Sequence, residues 1–124
     1  MSTSIYDHHG KAFVQVSAYV VLSGNERVAT IAFKFPKDGA SRLWVYVHWI
    51  GTEMVRGYAG GFGYDKQSAA CANAAPNIKA ETSPTTFINQ PEVLEAFKSA
   101  IAHDGGERWD TALRNAGFTV LQAV

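Results

Sequence analysis

The chain has no surplus of charge of either sign. Eleven Lys and Arg balance eleven Asp and Glu over 124 residues, and charged side chains make up only 18% of the total. A protein held mainly by a phosphate backbone is normally basic, and an acidic mimic of nucleic acid would be strongly negative. Neither signature is present, although a local basic patch on a neutral chain stays open. Cysteine is nearly absent. The single Cys71 cannot form an intramolecular disulfide, which points to a reducing compartment. No apolar run approaches the length of a membrane span. The first ten residues are polar, with His8 and His9 and no apolar region of the kind a secretory leader carries. A cytoplasmic protein without a membrane partner is expected.

Catalytic and metal-binding signals are equally sparse. His8 and His9 are adjacent and would point to opposite sides of an extended segment, with no companion ligands nearby. No H-E-x-x-H and no serine elbow occurs. Glu92 and Glu95 have the spacing of a solvated pair, and His103-Asp104 suits a helix C-terminus, where a protonated imidazole meets the dipole. Cys71 lies among alanines and fits a small buried residue better than a nucleophile. The expectation is a protein without enzyme activity, metal or cofactor.

What is abundant is core material. Hydrophobic residues make up 47%, enough for one domain and too little chain for two. Residues 1–11 lack periodicity and are expected to form a flexible arm, with Ile5 and Tyr6 its most orderable part; residues 12–124 form the domain. Phe13 to Leu22, Arg27 to Phe35, Ser41 to Ile50 and Glu53 to Tyr58 predict four strands, with turns at Ser23-Gly24-Asn25, Pro36-Lys37-Asp38-Gly39 and Gly51-Thr52. Short turns between consecutive strands imply an antiparallel meander. Lys66 to Ala75 is alanine-rich and ended by Pro76. Pro91 suits the first turn of a second helix, with Val93, Leu94, Phe97 and Ile101 as its apolar stripe. A third helix, Glu107 to Ala116, ends at Gly117, and Phe118 to Ala123 closes as a short strand. The fold class is α+β: an antiparallel β-meander of about four strands, two to three helices packed on one face, and a short C-terminal strand.

Two stretches could carry binding. Four of the eleven glycines fall between Gly57 and Gly63, between a strand and a helix, and such a turn can cradle phosphate through backbone N–H groups. Yet Gly60, Gly61 and Gly63, with Tyr64, Asp65 and Lys66, match neither G-x-G-x-x-G nor a G-K-[ST] ending. Asp65 would put a carboxylate where the phosphate should sit and is better placed as a helix cap, so a structural turn is the stronger reading. The second stretch is one face of the third strand, where Arg42, Trp44, Tyr46 and His48 recur at period two, opposite Leu43, Val45, Val47 and Trp49. The first two strands would add Gln15, Ser17, Tyr19, Thr30 and Lys34. If this face is open it is an aromatic platform that can stack bases or anchor a protein. Either face could be buried, the aliphatic one being the more core-like. Residues 77–89, with a Thr/Ser/Pro run, make a long loop without a readable role.

The run Gly60-Gly61-Phe62-Gly63-Tyr64-Asp65-Lys66-Gln67-Ser68-Ala69-Ala70, followed by Trp109, Leu113, Gly117, Phe118 and Val120, resembles small uncharacterised proteins encoded by phages, prophages and plasmids. Their pattern is roughly A-G-G-x-G-Y-D-K-x-S-A-A with a closing W-x-x-x-L-x-x-x-G-[FY]-x-V. The resemblance spans about half the chain and leaves the strands before residue 56 uncovered. It implies a mobile-element accessory protein in a bacterial host cell, of a kind that binds and blocks a host component, which suggests a counter-defence inhibitor. Neutral charge, the missing catalytic set and a Trp44/Tyr46 patch, if open, favour action by protein–protein contact with a host protein, with a homodimer as one form. The alternative is a binder of single-stranded nucleic acid or a nucleotide, using the aromatic face or the glycine loop.

Overall fold

The computed structural model describes residues 4–6, 12–36, 42–59, 66–78, 91–102 and 107–123. Two long strands form its spine, β2 (Ala12–Ser23) and β3 (Glu26–Pro36). Gly24 and Asn25 alone connect them, and Gly24 adopts a φ of 63°. A two-residue hairpin needs such left-handed backbone to follow the twist of its strands. β4 (Leu43–Trp49) and β5 (Val55–Ala59) continue the meander, with Gly51 at a φ of 90° in the tight turn closed by the Thr52 N–H on the Trp49 carbonyl. The other edge of β2 is shared by two short strands, β1 (Ser4–Tyr6) at its start and β6 (Thr119–Gln122) at its end. All pairings are antiparallel, in one six-stranded sheet. The segment expected to be a flexible arm therefore contributes a strand, Ile5 pairing with Phe13; the rest of 1–11 lies outside the described residues.

Three helices cover one face: α1 (Lys66–Ala74), which runs into a 3-10 turn at Ala75–Asn77, α2 (Pro91–Ile101) and α3 (Trp109–Asn115). No helix among the described residues is long and apolar enough to cross a membrane. The sheet lends Val21, Ile31, Phe33, Val45 and Val47 to the core, and the helices add Leu94, Phe97, Ile101, Trp109 and Leu113. Trp49 stacks at a tilt on Phe97 at 5.0 Å, and Phe97 meets Phe118 edge-on at 6.0 Å. Cys71 is fully buried within this core.

α1 lies unusually close to β5. A Cβ built on Gly57 would fall 2.7 Å from the Ala70 carbonyl oxygen, 2.7 Å from the Ala74 nitrogen and 2.8 Å from the Ala74 Cβ. The close approach of this alanine-rich helix is thus seated on Gly57. From this helix Asn73 Nδ2 donates to the Tyr58 carbonyl at 2.7 Å, and from the 3-10 turn that follows it Asn77 Nδ2 reaches the Arg56 carbonyl at 3.5 Å. These two amides occupy outward carbonyls of the last strand in the sheet, which blunts its capacity to template another strand.

α3 is held at both ends. Its Trp109 N–H donates to Ser68 Oγ of α1 at 2.8 Å, and the buried indole Nε1 donates to Gln67 Oε1 at 3.0 Å. The Gln67-Ser68 step and the Trp109 motif, far apart in sequence, therefore meet as a structural clasp. At the other end Gly117 takes a φ of 100°, its N–H on the Arg114 carbonyl and the Phe118 N–H on that of Leu113. This is the Schellman closure expected of Gly117.

Candidate binding site on the outer sheet face

Burial settles which side of β4 is core. Leu43, Val45, Val47 and Trp49 are buried under the helices, so Trp44, Tyr46 and His48 face away from them. Register then aligns side chains in rows across this outer face. Lys34, Trp44 and Tyr58 form one row; Ala18, Ala32, Tyr46 and Arg56 form the next; Val20, Thr30 and His48 form a third. In the backbone register Gln15 pairs with Lys34.

Ser17 and Tyr19 do not belong to this face, contrary to the simple alternation of β2. The pairing slips between Gln15 and Ser17, so Gln15 faces Lys34 while Ser17 faces Phe33 and Tyr19 faces Ile31. One extra residue on one strand is a β-bulge, and it reverses the sidedness of all that follows. Tyr19 accordingly turns inward, edge-on to Trp109 at 4.8 Å and to Phe33 at 6.1 Å. It packs against the core, on the side of the sheet opposite the platform where it was expected. Ser17 is buried, and its hydroxyl lacks a hydrogen-bond partner.

Among the described residues of the outer face, the rings of Trp44, Tyr46 and Tyr58 each lie against a cation. Lys34 Nζ sits 4.4 Å from the Tyr46 ring centre, the Arg42 guanidinium 5.1 Å from that of Tyr58, and the Arg56 guanidinium 5.6 Å from that of Trp44. Trp44 and Tyr58 pack at 5.0 Å with their planes 43° apart. Partial burial of Lys34 pushes its ammonium below the ordinary lysine range. Tyr46 is only 7% exposed, which makes it a floor for Lys34 in place of a contact surface. Trp44 is half-buried, Tyr58 is 48% exposed, and Arg42 and His48 are exposed. His48 is engaged locally, its Nε2 donating to the Thr52 carbonyl at 3.1 Å.

Among the described residues the strands of this surface carry few carboxylates, and Glu53 lies exposed in the β4–β5 turn. Among the described residues, β4 and β5 hold none, and β3 holds only Glu26, at its first position beside the hairpin turn. Lys34, Arg42 and Arg56 gather on the outer face, whereas the helical layer mixes Glu92, Glu95, Glu107 and Asp110 with Lys66, Lys98, Arg108 and Arg114. Where β5 meets α1 the surface dips into a cleft of about 530 Å³, lined by Trp44, Arg56, Gly57, Tyr58, Asn73 and Asn77, among others.

Of the residues expected on the platform, Arg42, Trp44, His48, Thr30 and Lys34 come together there. Arg56 and Tyr58 were not singled out, although their period-two spacing continues the pattern of β4. Asn73 and Asn77 carried no sequence signal, since only packing brings a helix amide to a strand edge. Of the glycine-loop candidates, Gly60, Gly61, Gly63, Tyr64 and Asp65 lie outside the described residues, and Lys66 opens α1 half-buried. His8, His9, His103 and Asp104 are likewise outside them, while Glu92 and Glu95 are exposed on α2. Comparison with protein-family models, curated proteins and solved structures finds no match.

Proposed function

We propose that this chain is a non-enzymatic binding protein whose outer sheet face takes single-stranded nucleic acid. One observation carries the reading: an open sheet face on which cations interleave with aromatic rings and, among the described residues, the strands bear no carboxylate beyond Glu26 at the hairpin. Bases have flat faces for Trp44 and Tyr58 to stack on, and phosphates have Lys34, Arg42 and Arg56 to neutralise them. A duplex would hide the base faces, so the single strand fits better. Three phosphate contacts predict a salt slope near −2, from about −0.7 per neutralised phosphate of a single strand. Trp49 and Trp109 are buried, so quenching of tryptophan emission by a short oligonucleotide would report on Trp44. Trp44→Ala should weaken binding by about tenfold, within the range for loss of one stacked base. No quenching and no anisotropy change at low salt would refute the proposal.

A host-protein partner is the second reading, favoured by the exposed Ile50 and Met54 at the β4–β5 turn. It accords with the phage, prophage and plasmid resemblance and a counter-defence role in the bacterial cytoplasm. Under that reading Met54→Ser abolishes capture of the host protein while Arg56→Gln spares it.

A further inference from the structure

We infer that the cleft between β5 and α1 is a base-reading pocket with a preference for adenine. This rests on the proposed single-strand binding and adds selectivity to it. Cations and stacked rings accept any nucleotide, because all have phosphates and π-faces. The cleft differs in holding two neutral side-chain amides beside the rings.

Asn73 and Asn77 each spend one Nδ2 hydrogen on a β5 carbonyl. An amide carries two N–H donors and a carbonyl acceptor, so each keeps a donor and an acceptor beyond that bond. The bonds to Tyr58 and Arg56 also fix the amides against the strand whose side chains present the ring and the guanidinium. A base stacked on the half-exposed Tyr58 would bring its edge toward these groups, with Arg56 available to the adjoining phosphate. A primary amide pairs bidentately with adenine, its oxygen accepting from N6 and its N–H donating to N7. Asn77 is the better placed reader. Its 3.5 Å bond to Arg56 is long, whereas the 2.7 Å bond of Asn73 is short and serves the strand edge.

The test is anisotropy titration of the full chain with labelled oligo(dA), oligo(dT) and oligo(dC) of equal length, across a salt series. The proposal expects oligo(dA) to bind about tenfold tighter than oligo(dT), the lower part of what one bidentate base contact discriminates. Asn77→Ala should erase that preference and leave the salt slope unchanged. Asn77→Asp keeps the acceptor and loses the donor, so it should move the preference toward oligo(dC), whose N4 donates. Thermal melts of both variants check the fold. Equal affinity of the parent for the three oligonucleotides overturns the pocket and leaves the single-strand reading standing. A preference for oligo(dA) that survives Asn77→Ala also overturns it. Absence of binding to all three overturns both readings.

Discussion

Gly57→Ala gives the sharpest test of how this fold is assembled. The added methyl would approach two backbone atoms of α1 to 2.7 Å, short of ordinary van der Waals contact by about 0.7 Å. Neither atom can rotate away, so the helix itself must move. It is pinned to β5 through Asn73 and Asn77 and to α3 through Ser68. Overpacking of this kind costs about 1–3 kcal/mol. Opposing it, alanine restricts the unfolded chain and favours folding by about 0.4–1 kcal/mol. The clash wins, leaving a loss of about 1–2 kcal/mol. For a domain of this size that lowers Tm by roughly 4–8 °C. Thermal denaturation followed by circular dichroism measures it. Adding Ala74→Gly removes one of the three close contacts and spares the two with backbone atoms, so it should restore little. A Gly57→Ala protein that melts at or above the parent temperature would refute the close-approach argument.

Ser17→Ala should raise stability by about 1 kcal/mol in urea denaturation, since it deletes a buried hydroxyl without a partner. Gln67→Ala should cost about 1–3 kcal/mol by the same measurement, because the buried Trp109 indole loses its acceptor. Burial alone would raise the Asp110 carboxyl, but Arg108, the Thr111 N–H and Arg114 together hold it below its ordinary value. Its contribution is therefore present above the unfolded carboxylate pKa of about 3.9 and lost as pH falls through the lower folded value. Asp110→Asn should flatten that acid limb of a stability–pH profile. Arg56→Gln should make the salt slope of oligonucleotide binding shallower by about 0.7, and an unchanged slope would remove Arg56 from the phosphate track.

Much of the fold was legible from local chemistry. Gly24 marked a hairpin because few residues accept a φ of 63° without strain, and Gly117 marked a helix end for the same reason at 100°. The stripe of Leu94, Phe97 and Ile101 placed one face of α2 in the core, and all three are buried. The alternation in β4 separated two faces without saying which was core, because both could be apolar enough; only the helices packed on Val45 and Val47 decided that. Trp44 and Arg42 were thus visible as candidates from sequence, whereas the pairing of each ring with its cation was not. Those pairs join neighbouring strands, and register across strands is set by packing.

Period-two reasoning failed in β2, where a single extra residue at the Gln15–Ser17 step moved Tyr19 from the outer face to the core. A bulge has no necessary local signature, since it answers to the strand beside it. The same holds for the cleft, whose Asn73 and Asn77 reach β5 across many residues of chain. Sequence alone therefore determined most of the elements and, outside the bulge in β2, their alternating faces, because φ preferences and side-chain periodicity act within a few residues. Tertiary structure decided which face is open and which charges share it, because those depend on contacts between segments that no local pattern encodes.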